Sequence, residues 1–525
     1  MTHHSARPSA TASPKHARPI VRPSEFRRFL RQVGLGALVP GAGLIAAGRH
    51  RVGWLVLLVF ALSSTGVVFY GSRIGRAGLV RLWSDADRLG AVGIALVGVA
   101  GVWLLVAVVG LYLLQPAGLR PPQRLLSAFV VVVVASVAVT PLSIASRYAF
   151  VQVDLIRSVF ADEDKQHSLT IPDKATDEDP WAGQPRVNVL ILGADSGAGR
   201  DGTRTDTVMV ASIDTDTGST ALFSLPRNLQ YTPMPKGPLH DAYPHGYHGE
   251  PEARYWLSAM YRYVPEEFPD YFHGIADPGA EALKLVVGEA LGLDISYYVM
   301  VNLRGFQSLV DALGGVDLDV PYRIPTGTQL LPSGRCSQES SWIEAGDNQH
   351  LDGYQALWFA RARCGPGPIS NDYERMRRQR CLIGAIASQA DPFSLVTRYQ
   401  QLASAAKDTM STDIPRGRLD DFAELALKVK EAGIRSLPFT NEIIDYYDPD
   451  YQLIRQFVHD SLHPSASPTD GGAAASASPS AGDSLPEPSP DTHAATPQTD
   501  ASPTEATEGE SHDEAQGAQA INAVC

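Results

Sequence analysis

Cysteine is scarce in this chain: there are four in 525 residues, at positions 336, 364, 381 and 525. None falls in a C-x-x-C pair, so neither a zinc ribbon nor a thioredoxin-like redox site is encoded. No G-x-x-x-x-G-K-[ST] loop and no G-x-S-x-G elbow occurs, which removes Walker-type nucleotide hydrolysis and the common serine hydrolases. Basic residues are missing from 464–525, where ten acids stand alone among Ser, Pro, Ala and Thr. That composition cannot bury a core, so a disordered acidic tail is predicted. No cleavable signal peptide is expected either, because the first apolar run starts near residue 33 and others follow it.

Long apolar runs are plentiful up to residue 145, at about 33–48, 52–71, 89–115 and 125–145. The last three are long enough to cross a bilayer core. The first contains Pro40 and several glycines and ends in Arg49-His50-Arg51, which predicts a short re-entrant segment. Residues 1–32 hold seven Lys/Arg and one acid, Glu25. They read as a basic, disordered cytoplasmic arm facing the membrane surface, with no nucleic-acid-binding module. Three spans then carry everything from about 147 onward outside, and Arg49, Arg51, Arg120 and Arg124 fall inside, as the positive-inside rule asks. The predicted protein is a multi-pass membrane protein with an extracytoplasmic domain. Its parts are an arm over 1–32, a membrane region over 33–146, a stalk over 147–186, one domain over 187–460 and the tail over 464–525.

Strand and helix signals alternate through 187–460, so the expected fold is α/β, an α-β-α sandwich-like arrangement around a mixed sheet, after an all-α membrane region. Val187–Leu192 is a short buried strand that breaks at Gly193 into a glycine-rich loop. Strands Thr207–Ile213 and Ser219–Leu225 follow, ending at Pro226-Arg227. Further on, helices are predicted over 281–291 and 304–313, and strands over 295–301 and 316–320.

The strand end at Gly193 collects Asp195, Arg200, Asp201, Arg204 and Asp206. Carboxylates beside arginines suit phosphate chemistry: carboxylates hold Mg2+, and guanidinium forks match phosphate oxygens. The bland alternative is that the aspartates serve turns. A second charged cluster reads A-R-A-R-C-G-P-G-P-I-S-N-D-Y-E-R-M-R-R-Q-R over 360–380. Arg361 and Arg363 alternate, so on an extended segment they point the same way. On a helix starting near Asp372, the residues Asp372, Arg375 and Gln379 form one stripe, while Arg377, Arg378 and Arg380 read as a solvated basic face. His240, His245 and His248 read as a surface loop. One disulfide among Cys336, Cys364 and Cys381 is expected in an oxidising compartment, with three possible pairings.

Taken together, L-G-A-D-S, R-T-D-T, S-L-P-R, the run Asp311–Pro321, L-D-G-Y-Q-A-L, A-R-A-R and D-Y-E-R-M-R-R-Q resemble the LytR-CpsA-Psr family of extracytoplasmic phosphotransferases. The resemblance spans about residues 187–400. It implies transfer of a glycopolymer from a polyprenyl diphosphate carrier to a peptidoglycan hydroxyl, forming a phosphodiester at the cell membrane. It also implies a catalytic set of Asp195, Arg204, Asp206, Arg227, Arg361, Arg363, Asp372, Arg375 and Gln379. Within that set Asp195 and Asp206 would bind Mg2+, and Arg204, Arg227, Arg361, Arg363 and Arg375 would grip the substrate. The polyprenyl tail would lie between the sheet and the helices at 281–291 and 304–313. Three positions differ from the family's pattern: Gly197 where Arg is usual, Asn228 after Arg227, and Ser258. Polyprenyl diphosphate hydrolysis and non-catalytic lipid-phosphate sensing are the competing functions.

Overall fold

The computed structural model describes residues 22–73, 75–162, 167–172, 176, 179–195, 204–329, 331, 333, 335–389, 398–407, 409–440, 443–463 and 519–520. Most of the glycine-rich loop and most of the acidic tail therefore lie outside the described residues.

The described residues begin with six helices: α1 (Pro23–Leu38), α2 (Ala42–Ala46), α3 (His50–Arg73), α4 (Arg76–Ser84), α5 (Ala86–Leu114) and α6 (Pro121–Val159). Residues 23–32, assigned to the arm from their charge, belong to α1. Pro23 at the first helical position and Glu25 accepting from the Arg22 N–H at 3.1 Å start the helix. Phe26, Phe29, Val33 and Ala37 then recur at helical spacing and pack against Ala107, Leu119 and Val131. The chain turns at Gly41, whose φ of 95° suits glycine, into the five-residue α2. Among the described residues, helices α3, α5 and α6 are the three long and apolar enough to cross a membrane. Their outer faces leave residues such as Leu62, Val67 and Tyr112 exposed, an arrangement that calls for lipid and not water.

Residues 72–88, between the second and third apolar runs, contain helix α4. Its Arg81 Nε lies 3.7 Å from Asp420 of the following domain, and Gln152 donates to the Trp83 carbonyl at 3.2 Å. This segment and the domain thus sit at one end of the helical bundle, while α1 packs near Leu119 at the other. At 39 residues α6 is about 58 Å long, far beyond a hydrocarbon core of about 30 Å. The first part of the expected stalk is therefore helix, and residues 167–172 are knitted into the domain, where Ser168 and Leu169 N–H both donate to Glu281.

The domain continues with β1 (Arg186–Ala194), β2 (Thr205–Asp214), β3 (Thr220–Leu225), α7 (Pro238–Ala242), α8 (Leu257–Glu267), α9 (Pro278–Leu291), β4 (Ile295–Asn302), α10 (Leu303–Leu313), β5 (Val316–Val320), β6 (Ile324–Thr326), β7 (Ser341–Ile343) and β8 (Gly346–Leu351). It ends with α11 (Gly353–Arg361), α12 (Asp372–Gln389), α13 (Tyr399–Lys407), β9 (Met410–Thr412), α14 (Leu419–Ala432), β10 (Ile434–Pro438), α15 (Tyr451–Leu462) and β11 (Gln519–Ala520). Seven strands form one mixed sheet in the order β11-β10-β3-β2-β1-β4-β9. β1 runs antiparallel to β2 and parallel to β4, and β10 runs parallel to β3.

Alternation along the strands separates two apolar layers. Leu190, Leu192, Val210 and Phe223 face a core closed by α8, α9 and α15. Ile191, Met209, Ala211 and Leu222 face the other way, onto Ile383 of α12. The fold is α/β with helices on both sides of a mixed sheet, as the sequence predicts. A smaller core joins α10, α11, β5 to β8 and α12 through Val310, Leu318, Phe359 and Leu382. The first half of α12 thus lies where this smaller core meets the end of the main sheet, and the charged residues gather there.

Candidate phosphate-binding site

The site begins with a fault in the sheet. Gly193 pairs with Thr207 and Ala194 with Thr205, so Asp206 is the extra residue of a β-bulge. A bulge leaves its residue unpaired in the ladder and turns its side chain out of the regular alternation. Gly193 permits this close pairing, because a Cβ there would stand 2.9 Å from the Thr207 side chain. The Asp206 carbonyl, with no ladder partner, accepts from Arg375 Nη1 at 2.9 Å.

Around the Asp206 carboxylate, charges alternate. Arg227, just past the end of β3, donates from Nη1 to Asp206 Oδ1 at 2.8 Å, and its Nε stands 3.5 Å from Asp372 Oδ1. Arg375, one turn into α12, holds both Asp372 oxygens, at 3.1 and 2.9 Å, in a bidentate fork. Arg363 Nη2 approaches Asp206 Oδ2 to 3.7 Å. Three arginines and two carboxylates thus converge, with Arg375 sealed at 2% exposure and Arg363 open at 39%.

Burial alone would raise the pKa of Asp206, but Arg227, Arg363 and Arg375 outweigh it and hold the carboxyl below the ordinary carboxylate range. Asp372 is depressed in the same way against its burial, by Arg375, Arg227 and Arg363. Desolvation and the neighbouring Arg227 lower Arg363 to about 10, against the pull of Asp206, which leaves it cationic at neutral pH. The cluster therefore carries one net positive charge, and its exposed edge is an arginine.

Helix α11 aims Arg361 and Arg363, and here the structure corrects the sequence reading. The two do not share an extended segment: Arg361 ends the helix and Arg363 follows the turn at Ala362. Asp352 and Gln355 form a capping box that starts α11, and Ala356, Leu357, Trp358 and Phe359 bury its inner face. The Arg361 guanidinium lies over the Trp358 ring, 5.0 Å from its centroid. Arg378 and Arg380, expected in water, are buried at 1% and 5% exposure. Arg378 donates to the Phe359 and Ala362 carbonyls at 2.8 and 2.6 Å, and Gln379 donates to the Ala360 carbonyl at 3.3 Å. These are carbonyls that a helix end leaves without intrahelical partners. Arg378 and Gln379 thus fix the turn from which Arg363 projects. Arg377 does remain partly exposed, beside Glu374 at 3.2 Å.

Asp195 and Arg204 face each other across the mouth of the glycine-rich loop, joined by a backbone bond from Asp195 N to Arg204 O at 2.8 Å. Arg204 is exposed; Arg200 and Asp201 lie outside the described residues. Asp195 and Asp206 leave the same end of the β1–β2 pair. Carboxylate oxygens are the ligand type Mg2+ takes, one or two of them beside water and phosphate oxygens, and here Asp206 also faces Arg227 and Arg363. No three His, Cys, Asp or Glu converge among the described residues. His240 lies in α7, whereas His248 stacks on Tyr231 with its Nδ1 2.7 Å from the Gly246 carbonyl.

The sequence reading missed a second buried charge group. Lys284 of α9 meets Glu281 at 3.0 Å and Asp413 at 2.5 Å, all nearly sealed from solvent. Asp413 also accepts from the Tyr298 N–H at 2.7 Å. An i, i+3 Glu–Lys pair at the start of a helix gives no hint of this, because such pairs usually lie on the surface. Of the three possible pairings, the disulfide formed is Cys336–Cys364, which pins the segment after Arg363. Cys381 of α12 is disulfide-bonded as well, and Cys525 lies outside the described residues.

Known proteins match the same region. A transferase from Enterococcus faecalis, the polyisoprenyl-teichoic acid–peptidoglycan teichoic acid transferase TagU, is 27% identical over 274 residues, which cover 50% of this chain and 75% of that protein. The protein of the same name from Oceanobacillus iheyensis is 28% identical over 259 residues, 49% of this chain and 66% of its own length. A solved LytR-Csp2A-Psr enzyme from Actinomyces oris overlays 56% of this chain and 94% of its own, with 17% identity and a TM-score of 0.37. The profile of the LytR_cpsA_psr family matches residues 156–461, from the end of α6 to α15. It takes in residues 167–172, which sequence alone had left to a stalk. With more than half its length matched, and the charge cluster inside the match, the chain belongs to the LytR-CpsA-Psr family.

Proposed function

We propose that this protein transfers a glycopolymer from a polyprenyl diphosphate carrier to a peptidoglycan hydroxyl. The observation that carries the reading is the cluster of Asp206, Arg227, Arg363, Asp372 and Arg375, net positive and open at Arg363. Binding an anion needs only positive charge. Carboxylates fixed among the arginines set the spacing of the guanidinium groups, so that they meet charge building on a phosphate in the transition state.

In the proposed reaction the acceptor hydroxyl oxygen bonds to the phosphorus that carries the glycan. The bond from that phosphorus to the bridging oxygen breaks, and polyprenyl phosphate departs with the hydroxyl proton balanced on it. The product is a phosphodiester between glycan and peptidoglycan. Arg227 and Arg363 bind the diphosphate, with Arg204 and Arg361 at the rim of the site. Asp372 and Arg375 orient Arg227 and the Asp206 backbone, and Gln379 steadies the end of α11. Asp206 and Asp372 are too acidic to collect a proton at neutral pH, so they act as charge holders. Mg2+ held by Asp195 and Asp206 would supply Lewis-acid charge at the phosphate oxygens.

The reading places the domain outside the cell on a three-span anchor. Support comes from the geometry of the bundle: α4 and the domain share one end, as three spans from a cytoplasmic start require. A tail removed by protease from intact protoplasts is the expected outcome, and full protection would contradict it. The chemistry is tested with a short polyprenyl diphosphate oligosaccharide and a peptidoglycan acceptor, with and without Mg2+. Wild type should join sugar to wall, and Asp206→Ala should lose at least about a hundredfold in turnover. Polyprenyl phosphate released with no sugar joined would make the protein a hydrolase. Tight binding with no turnover would make it a sensor.

A further inference from the structure

The strand ends that carry the charge cluster are turned toward the membrane helices. β4 ends at Asn302 beside Ala194, and the Asn302 N–H donates to the Thr409 carbonyl at 3.1 Å. The end of α13 therefore lies at the same end of the sheet as Asp195 and Asp206. Helix α13 in turn rests on α6: Lys407 meets Asp154 at 2.6 Å, and the Tyr399 ring stacks on Tyr148 with centroids 5.9 Å apart. Beyond these contacts α6 runs on along β9 to its other end, where the Ala161 N–H donates to the Ile414 carbonyl at 3.1 Å. Followed out of its apolar run, α6 thus meets the sheet site end first. Residues 125–146 of α6 carry no charge, and as helix they span about 33 Å, close to the depth of a hydrocarbon core. Arg147 stands where that core ends on the domain's side, about 10 Å along the helix before Asp154.

Arg147 heads a groove between α5 and α6. Two cavities, of about 410 and 470 Å³, meet at Ser143 and Arg147. The first runs into the apolar core past Leu104 and Val132, and the second runs out to Asp154. Ser136 and Ser143 donate their hydroxyls to the Val132 and Val139 carbonyls of their own helix, so the groove offers an occupant mostly carbon. Asp154 is neutralised by Lys407, and Arg147 pairs with no carboxylate among the described residues. An exposed guanidinium is left at headgroup level, above an apolar slot. That combination matches a lipid with an anionic phosphate head. Any anionic phospholipid has this chemistry. The position of the groove, beneath the strand ends of the cluster, singles out the lipid carrier of the proposed reaction.

We propose that the α5–α6 groove is a seat in the membrane anchor for the polyprenyl diphosphate carrier, with Arg147 on its headgroup before that headgroup passes to Arg227 and Arg363. The seat lies in the anchor, apart from any channel inside the domain, and it rests on the transferase reading for the identity of the lipid. The test uses the full-length protein in lipid nanodiscs. A long-chain polyprenyl diphosphate with a photoreactive group near its head should label peptides from 97–104 or 132–151, and excess unlabelled carrier should suppress the label. Ser143→Phe, which fills the groove, and Arg147→Gln should each cut this labelling and weaken long-chain diphosphate binding about five- to tenfold. Arg147→Lys should keep most of the affinity, since a point charge still meets the headgroup. Geranyl diphosphate, too short to hold groove and cluster at once, should bind both variants as it binds wild type. No label in these segments overturns the seat. Labelling that a photoreactive phosphatidylglycerol matches and excess carrier does not displace overturns it too, and makes the groove a general lipid site. Equal weakening of geranyl diphosphate would place the damage in the domain and overturn it as well. If wild type binds no geranyl diphosphate, the phosphate reading of the cluster fails alone, and the labelling still tests the groove.

Discussion

Two charge clusters in one domain show how closure separates structural from binding chemistry. Lys284, Glu281 and Asp413 are 0–4% exposed and set one cation against two carboxylates. Asp206, Arg227, Arg363, Asp372 and Arg375 set three cations against two carboxylates and open to 39% at Arg363. In the sealed cluster every charged group finds its partners inside the protein, with Ser168 and the Tyr298 N–H completing them, and no edge faces solvent. In the open one the geometry is just as fixed, yet a positive edge remains for an anion. The first should matter for stability and the second for ligand.

The largest effect expected from this contrast is that of Lys284→Met. It leaves two carboxylates buried without a cation and should cost about 3–5 kcal/mol in unfolding, with affinity for polyprenyl diphosphate retained in the molecules that stay folded. A cost under about 1 kcal/mol, measured by chemical unfolding in detergent, would remove the structural role. Next is Cys336→Ser, which opens the loop to Cys364 and should cost about 2–4 kcal/mol on the same scale. Peptide mapping without reduction should find those two cysteines linked and Cys381 protected from alkylation.

Arg363→Ala reverses the pattern. Its stability should be near wild type, since an exposed pair contributes little, while polyprenyl diphosphate affinity falls about ten- to a hundredfold. Arg363→Lys should recover only part, lacking the planar fork. An alanine variant that binds like wild type would break the comparison.

Titration gives the smallest effect but opposite signs. Burial raises Asp413 to about 6 against the pull of Lys284 and the Tyr298 N–H, and the neighbouring Glu281 adds to the rise. The native state then holds this proton more tightly than the unfolded chain, where an aspartate titrates near about 3.9. Its contribution to stability falls as pH rises through that window. Asp206 and Asp372 are depressed, so their contribution is present above the unfolded value and is lost as the medium acidifies below it. Asp413→Asn should flatten the stability profile between about pH 4 and 6, and Asp206→Asn should flatten it at lower pH. Identical profiles for both variants would contradict the assignment.

Much of this arrangement is legible in residue order. Strands β1 to β3 and β5, the helix starting at Asp372, and the stripe Asp372–Arg375–Gln379 all follow from periodicity and spacing. What is not legible depends on pairing across space. The bulge at Asp206 is a one-residue offset between strands, visible only once Gly193 has met Thr207. Arg378 reads as a surface charge until the carbonyls of α11 are placed beside it. The helical setting of Arg361 could have been found, because Asp352-x-x-Gln355 ahead of an apolar run is a capping-box signature. Burial of Lys284 could not, since its partner Asp413 is 129 residues away.

The most direct test of the central claim is a structure of the full chain with a short polyprenyl diphosphate bound. Phosphate oxygens are expected within about 3 Å of the Arg227 and Arg363 guanidinium groups, with the Asp206–Arg227 and Asp372–Arg375 pairs intact behind them. A diphosphate seated elsewhere on the domain, with this cluster left open to water, would contradict it.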